Sequence, residues 1–573
     1  MSDKKLISTS PAPWSWSKKL GFRIIFIFFL AMSIPFSGGW YKNVFTLDWF
    51  HPHYRDIYDI ARFQPSFRGL FGGKGNSEGD FTAVNESKPG EEIANKGHHH
   101  GTKGHHHHDS ADDTGLQSHQ PEKNKNGIPP KRGFLADYSD WGIAFLIGIA
   151  GGLIWTLIDR KSKSYTLLYY WIRVVVRYRA GIGIIGFGFT KLFPTQMPFP
   201  SLGLLNSNFG DYTAQKIYWL SVGIVPWYQV FGGVVEIAAG TMLFFRKTTT
   251  FGAILLIGAL GDITYVNYAY DGGVHVYAFY FVFLALFLLA DDIPKLYNLL
   301  IRERYTIPVR FYPDFSQPAL KYSRIVLKTL TFVIFFVILT YTEVINFKYD
   351  PYKQPSTAGL KPLRGNYQVT EFRLNGQVIP YNPLDTVRWQ EATFENWTTL
   401  TFRVNHPVLV DPSNGGGSPM KDIQRTFEIS GVAGGQRAFH YYADTVDKVL
   451  YLQDKNVMTV QRSKRNAAGA DEEHPHQRKP EDNWISKVAL QHIGDEKKMI
   501  DPHAWSTRRD REFAKKGPEP KRNRMVLKYA TVNGSRVILS GINENKDSIY
   551  VVLDRYNRKY AMHPSTLNAG KYN

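Results

Sequence analysis

Residues 141–158 read WGIAFLIGIAGGLIWTLI, a run of 18 residues without a charged side chain. An α-helix rises 1.5 Å per residue, so about 20 apolar residues cross a hydrocarbon core of roughly 30 Å. Six further apolar segments lie between residues 24 and 347, which predicts an all-α membrane bundle of about seven transmembrane helices. The seven segments begin at Ile24, Trp141, Tyr165, Ile217, Phe251, Val276 and Ile325.

Basic residues flank these segments on one side, and such residues favour the cytoplasmic face of a membrane. The charge pattern therefore predicts a cytoplasmic N-terminus at residues 1–23, a signal anchor at 24–40 and a bundle at 139–347. A cleaved secretory signal peptide is the alternative for the first segment. An odd number of spans exports everything after residue 347. The flanking residues include Lys18, Lys19, Arg160, Lys161, Lys163, Arg246, Lys247, Arg302, Arg304, Lys321 and Arg324.

The overall composition hides this division. The mean hydropathy is only −0.28, because the apolar residues are concentrated in the first two thirds of the chain. The formal net charge of +19 belongs largely to the short loops beside the apolar segments, so it indicates membrane orientation and no nucleic-acid partner. The chain has no cysteine, which excludes disulfides and cysteine-based redox chemistry.

The predicted exported loop, residues 41–138, contains a histidine tract. Its aromatic first part is expected to pack on the bundle, whereas residues 72–132 have the polar composition of a disordered segment. Imidazoles bind divalent metals, so the tract is a candidate metal site, and a solvated low-complexity loop with adventitious affinity is the alternative. The histidines are His98, His99, His100, His105, His106, His107 and His108.

Five ionisable residues fall inside the predicted spans, where charges are unfavourable and often mark functional sites. Counted along the helices, they lie at similar depths near the midplane. They form a candidate ligand or proton site if they pair inside the bundle, and the alternative is that the arginines reach the lipid headgroups. The five residues are Arg173, Arg177, Arg179, Glu236 and Asp262.

A second group of polar residues is expected near the exported face, around the turn YDGGVH at residues 270–275. Two helix ends and a Gly-Gly turn can form a pocket for a polar headgroup or a quinone ring. Helix capping is the alternative. This outer-face group comprises Lys191, Gln196, Asn267, Tyr270, Asp271 and His275.

After a linker at residues 348–362, the composition changes to short runs rich in β-branched and aromatic residues. Eight to ten such runs predict a soluble antiparallel β barrel or sandwich at residues 363–573. The pairs Asn375-Gly376 and Asn533-Gly534 predict tight hairpins. The opening LRGNYQVTEFRLNG resembles the start of lipocalin-like domains. A barrel of this size can hold one small apolar ligand or be filled by side chains.

Three stretches between residues 181 and 290 resemble the DoxX-like family of small four-helix membrane proteins: GFGFTKLFPTQMPFPS, WYQVFGGVVEIAAGTMLFFRKTTTFGA and NYAYDGGVHVY. The resemblance implies a four-helix core and, for some relatives, quinone-dependent oxidation of sulfur compounds or redox-protein assembly. His275 departs from the pattern, which has a Lys there. The other matching positions include Lys191, Pro194, Gln196, Tyr228, Gly233, Glu236, Gly240, Arg246, Asn267 and Asp271.

Two functions follow as hypotheses for a protein of the bacterial cytoplasmic membrane with its C-terminal domain in the periplasm. The first is a DoxX-like protein with a redox role linked to a quinone or another lipophilic ligand. The second is a non-catalytic accessory subunit that anchors an envelope complex and contacts other membrane proteins through the β domain. No enzyme motif decides between them. Whether the midplane charges face a cavity or close into pairs is the discriminating observation.

Overall fold

The computed structural model describes residues 13–63, 65–67, 138–306, 311–457, 484–514, 520–563 and 565–572. Its first part is helical and its second part contains a β-barrel. The helices of the first part are α1 Trp16–Ser33, α2 Gly38–Phe45, α3 Tyr54–Ala61, α4 Ser139–Ile158, α5 Thr166–Leu192, α6 Leu202–Asn206, α7 Ala214–Gly223, α8 Pro226–Phe244, α9 Thr249–Ala269, α10 His275–Leu289, α11 Ile293–Leu300, α12 Pro318–Phe332 and α13 Leu339–Tyr349.

Three helices are long and apolar enough to cross a membrane: α4, α9 and the continuous helix Pro318–Tyr349, which includes α12 and α13. Three bent pairs meet the same criterion only if each pair is one span: α1 with α2, α7 with α8, and α10 with α11. The described residues thus contain three candidate spans, or up to six. Helix α5 is not among them because it carries three arginines and Lys191. The predicted seven-helix membrane bundle is not confirmed.

The predicted fourth segment, from Ile217, is divided into two helices. Helix α7 ends at Gly223 and α8 begins at Pro226, with an angle of 91° between them. Proline lacks a backbone N–H and is favoured in the first turn of a helix, where that group would have no partner. The apolar run predicted as the fourth segment is therefore broken before Pro226, and it is at most one bent span.

Helices α5 and α8 pack closely through glycines. A Cβ at Gly233 would lie 2.6 Å from the carbonyl oxygen of Gly188, and one at Gly240 would lie 3.0 Å from that of Gly181. Small residues allow two helix backbones to approach in this way. The aromatic segment before residue 67 also packs here, as expected, since Tyr54 and the rest of the α3 core join α5 and α13.

The burial of the helix Pro318–Tyr349 changes at a π-helical segment, Val333–Ile338. In α13 one face is buried against α3 and α5, including Thr342 and Asn346. In α12 no residue is buried. A π-helical segment inserts an extra residue per turn, and here it separates the half that packs in the bundle from the half that leaves it.

The C-terminal domain contains nine strands, all paired antiparallel. Eight of them form a closed barrel, because β1 pairs with β3 on one side and with β9 on the other. This confirms the predicted antiparallel barrel. The strands are β1 Gly365–Leu374, β2 Gln377–Val378, β3 Glu391–Phe394, β4 Thr399–Arg403, β5 Gln436–Asp444, β6 Val449–Asp454, β7 Arg524–Val532, β8 Arg536–Ile542 and β9 Ser548–Tyr556.

The barrel interior is filled by apolar side chains from all eight strands. Phe372, Phe394, Leu400, Phe439 and their neighbours are almost completely buried. Burying a large apolar side chain contributes roughly 1.5–3 kcal/mol, so this core holds the domain together. Of the two occupants predicted for the interior, side chains rather than a ligand fill it.

Both predicted Asn-Gly hairpins are present. Asn375 and Gly376 connect β1 to β2 with φ of 51° and 81°, and Asn533 and Gly534 connect β7 to β8 with φ of 51° and 70°. Positive φ at both central residues matches the twist of a two-stranded ribbon. Among the described residues, three short α-helices lie outside the barrel: α14 Lys487–Ile493, α15 Glu496–Met499 and α16 Thr507–Ala514.

Candidate functional site

The predicted intramembrane cluster is divided between several contacts. Glu236 is buried on α8, and its Oε1 accepts a hydrogen bond from Lys191 Nζ on α5. Its Oε2 has no hydrogen-bond partner among the described residues. Asp262 is exposed on α9. The carboxylate thus pairs with a lysine assigned by sequence to the outer-face group.

Each of the three predicted arginines contacts a group other than Glu236. Arg177 donates from Nε to the Leu243 carbonyl (2.9 Å) and from Nη2 to the Phe244 carbonyl (3.1 Å), at the C-terminus of α8, where carbonyls lack helical partners. Arg179 donates to the Ala61 carbonyl at 2.9 Å. Arg173 lies 3.4 Å from Asp291. None of these contacts joins an arginine to Glu236, because backbone carbonyls, aromatic hydroxyls and Asp291 are the partners instead.

In the outer-face group, Asn267 and Asp271 help to form the turn between α9 and α10. Asn267 donates from Nδ2 to the Ile263 carbonyl, and its carbonyl accepts from Gly272 N. Asp271 adopts φ of 54° in that turn. The ring of Tyr270 lies 5.5 Å from that of Tyr218, and the ring of His275 lies 5.8 Å from that of Tyr268. Neither of the two best-defined cavities is lined by these residues, so a ligand role for them stays a prediction.

Gln196 belongs to the same predicted group and is partly buried. Its Oε1 has no hydrogen-bond partner in the described part of the chain. The histidine tract from His98 to His108 lies outside the described residues, so its metal binding also stays a prediction. Within the described ranges, one group of donors is close enough to hold a metal ion: Asp444, Asp447 and His492.

The densest buried polar group lies where the bundle meets the barrel. We call Asp350, Arg425, Arg509, Ser418 and His53 the junction cluster; all five are buried. Arg425 donates to Asp350 Oδ1 at 2.6 Å, while Arg509 and Ser418 Oγ contact Oδ2. His53 Nε2 lies 3.7 Å from the same oxygen and 3.2 Å from Ser418 Oγ. The cluster joins the end of α13, α3, the loop before β5, and α16.

A second set of ion pairs extends the junction along α3. Arg508 on α16 donates to Asp56 at 3.1 Å and to Asp59 at 2.6 Å, and Arg55 lies 3.3 Å from Asp59. Separating any one partner would leave a buried charge uncompensated, which typically costs about 3–5 kcal/mol. The ion pairs therefore fix how the barrel sits on the helices.

Further charged groups attach α6 to the barrel wall. Glu395, just after β3, accepts hydrogen bonds from Leu202 N (2.9 Å) and Gly203 N (2.8 Å) at the start of α6. Burial raises the pKa of Glu395 to about 7. Close by, the fully buried Lys455 donates to Glu428 Oε1 at 2.9 Å.

Two small cavities accompany these contacts. One, with about 280 Å³ of empty space partly open to solvent, lies beside the junction cluster and is lined by His53, Asn346 and Asp350. The other, of about 220 Å³, lies between α7 and the barrel loop at Lys216 and Phe427. Ligand pockets for small organic molecules usually occupy about 300–1,000 Å³. Because the two volumes include space open to solvent, the room for a ligand in either cavity is smaller still and lies below that range.

Sequence reasoning missed the junction. Arg508 and Arg509 begin a basic run at residues 508–524 whose composition is typical of a surface loop, yet both side chains point into the molecule. Glu343 is also missed: it is completely buried on α13, where its Oε2 accepts from Asn346. A signal for Glu343 was available, since it is an ionisable residue within the seventh apolar segment.

Comparison with known proteins identified no relative. We found no significant match to any family model, curated protein or solved structure. The DoxX-like resemblance therefore stays a prediction that depends on the residues between 181 and 290.

Proposed function

We propose that this chain is a membrane-anchored accessory subunit of a bacterial cell-envelope complex. In this proposal the helical bundle lies in the cytoplasmic membrane, and the barrel is held on the periplasmic side as a docking domain for a partner protein. The role is one of anchoring and contact rather than catalysis.

The observation that carries the proposal is an exposed apolar segment after β1, formed by β2 and the loop that follows it. Between residues 377 and 387 the side chains of Val378, Tyr381 and Leu384 are 59%, 67% and 78% exposed, and Val387 is exposed beside them. Apolar side chains grouped on a surface are typical of protein contact sites, and tyrosine is enriched there. The loop lies at the end of the barrel opposite to Asn366, where α6 contacts the start of β1. It is therefore directed away from the junction.

The interior of the molecule supports the same proposal. The barrel is filled by side chains, Glu236 is paired with Lys191, and the two best-defined cavities in the described part of the chain are smaller than typical ligand pockets. Closed pairs rather than an open chamber favour an anchoring subunit. The rigid junction around Asp350 would hold the docking loop at a fixed orientation to the membrane.

One observation favours the quinone-linked alternative that the DoxX-like resemblance implies. Glu236 Oε2 and Gln196 Oε1 are buried without hydrogen-bond partners among the described residues, and Lys191 lies beside Glu236. A ligand carrying a hydroxyl group would satisfy such oxygens. We therefore retain this function as the second candidate.

The test compares complexes isolated in mild detergent from the native membrane. We expect a stoichiometric set of proteins with the unaltered chain, and its loss with the variant Val378→Ser/Leu384→Ser. The matched control is Val446→Ser/Val532→Ser, which alters two other exposed residues of the barrel (65% and 71% exposed). Mass spectrometry of both proteins and small molecules reads the result. A stoichiometric quinone without a protein partner would reject the proposal in favour of the second candidate.

A further inference from the structure

None of the residues of α12 is buried, which leaves an open surface, here called the gap, between this helix and the ends of α5 and α8. No residue of Pro318–Phe332 is buried, although α13, its continuation beyond the π-helical segment, packs on α3 and α5. Aromatic contacts mark both ends of the gap. Phe315, just before α12, lies 6.2 Å from Trp171 on α5, and Phe336 lies 6.3 Å from Phe244 on α8.

The rim of this gap is cationic. Lys328 Nζ lies 3.9 Å from the ring centre of Phe245, and Arg324 lies 5.2 Å from that of Phe315. Lys328 is within electrostatic range of both Arg324 and Arg177. These three residues thus bring like charges together from α12 and α5.

Three acidic side chains at the same end of the helices already contact other residues. Asp291 contacts Arg173, Asp292 contacts Lys295, and Asp314 accepts from Ser316. Within the described ranges, Arg324 and Lys328 form no ion pair. Like charges gathered without an acid repel one another, so the arrangement is stabilised by binding an anion.

The position of Arg324 and Lys328 along the helix indicates which kind of anion they bind. The helix Pro318–Tyr349 has 32 residues, and at 1.5 Å per residue it is about 48 Å long, against roughly 30 Å of hydrocarbon. If its barrel end lies at the periplasmic boundary, about the first twelve residues extend beyond the hydrocarbon on the cytoplasmic side. Arg324 and Lys328 then lie at the level of the phospholipid phosphates.

We propose that the exposed Arg324 and Lys328 bind the headgroup of an anionic phospholipid of the cytoplasmic leaflet, with the charge of the buried Arg177 behind them, and that the acyl chains of this lipid fill the gap beside α12. This site rests on the membrane anchoring given under the proposed function. Basic pockets between transmembrane helices on the cytoplasmic side bind anionic headgroups in this manner. A second copy of the chain is a poorer occupant, because a symmetric contact through α12 would place Lys321, Arg324 and Lys328 against the same residues.

The test uses the full chain in lipid nanodiscs containing equal amounts of phosphatidylglycerol and phosphatidylcholine. Native mass spectrometry then measures which lipid stays bound when the discs are disrupted. We expect preferential retention of phosphatidylglycerol, reduced about five-fold by Lys328→Gln or by Arg324→Gln, since one basic residue near an anionic surface contributes about that factor. Lys348→Gln, at the other end of the same helix and also exposed, should leave the preference unchanged.

Four results would overturn the inference. Equal retention of both lipids, or equal effects of Lys328→Gln and Lys348→Gln, would exclude a specific headgroup site. Displacement of the lipid by excess inorganic phosphate would show a free-phosphate site instead. A chain that does not enter the discs at all would refute membrane anchoring as well, whereas a chain that enters without lipid preference would refute only the lipid site.

Discussion

Asp350 receives two arginines that are far apart in the chain, Arg425 on the loop before β5 and Arg509 on α16. The change Asp350→Asn keeps the shape of the side chain and removes its charge, so the buried Arg509 loses its counter-ion and Arg425 keeps only Asp422, at 3.7 Å. We expect a loss of about 3–5 kcal/mol in the free energy of unfolding. Denaturant unfolding in detergent, followed by tryptophan fluorescence, measures it. The control is Asp554→Asn, which breaks a largely exposed pair with Arg536 and should cost at most about 1 kcal/mol. Equal losses would contradict a special role for Asp350.

His53 makes the same junction sensitive to pH. Burial lowers the pKa of His53 well below its usual value of 6.5, so the folded state binds fewer protons than the unfolded state in mild acid. Above the pKa that His53 has in the unfolded chain, the histidine does not lower the free energy of unfolding. As the pH falls below that pKa, the unfolded chain gains a proton and the free energy of unfolding decreases. Between about pH 7.5 and about pH 5.5 we expect a loss of roughly 1.4 kcal/mol.

The variant His53→Asn should remove that part of the pH dependence. His503→Asn, which alters a side chain that is 68% exposed, should leave it in place. Thermal unfolding at a series of pH values reads both variants. An unchanged pH profile for His53→Asn would show that His53 is not the titrating group.

The residue-scale site was only partly predictable. An ionisable residue inside an apolar segment is visible in the sequence, so Glu236 was found and proved to be buried. Its partner Lys191 was placed in the outer-face group, because depth along a helix does not say which side the side chain faces. The junction was missed because Asp350 and its partners are 75 and 159 residues apart in sequence. No local pattern reports such a contact.

At the scale of elements, the contact between α5 and α8 depends on glycines at defined positions. A Cβ at Gly233 would lie 2.5 Å from Leu192 N, whereas a Cβ at the adjacent Gly232 would have no atom closer than Lys191 Cδ at 4.0 Å. We therefore expect Gly233→Ala to destabilise the bundle by about 1–3 kcal/mol through overpacking.

Gly232→Ala is the matched control for this contact. It should be neutral or stabilising by up to about 1 kcal/mol, because alanine favours the helix more than glycine does. Thermal unfolding in detergent compares the two variants. A similar effect at both positions would mean that helix propensity, and not backbone approach, governs the contact.

Elements were predictable where the signal is local. Apolar runs indicated the helices, and Asn-Gly pairs indicated the tight hairpins with positive φ. One apolar run contains two helices that meet at Pro226, and hydropathy alone did not show this break because it does not register the loss of a backbone N–H. The exit of α12 from the bundle was also invisible, since it depends on what the neighbouring helices leave uncovered.

At the scale of the whole molecule, the two ends of the bundle differ. The start of α1 contacts the loop between α4 and α5, where Trp14 N donates to the Lys163 carbonyl and Lys19 Nζ to the Ser162 carbonyl. The junction with the barrel lies at the end of α13, around Asp350. Basic loops and barrel thus occupy opposite ends of the described helices, and the cytoplasmic N-terminus that the charge pattern predicts stays a prediction.

Because the chain contains no cysteine, single introduced thiols report this orientation without background. Lys161 lies in the loop between α4 and α5, Val446 lies on the barrel, and both are exposed. In bacterial cells with a permeabilised outer membrane, a membrane-impermeant maleimide should label Val446→Cys at once. It should label Lys161→Cys only after the cytoplasmic membrane is disrupted, because a charged reagent cannot cross the hydrocarbon core. Equal labelling of the two variants after disruption is the control for reactivity. Earlier labelling of Lys161→Cys would reverse the orientation, and simultaneous labelling in intact cells would mean that no membrane separates the two ends.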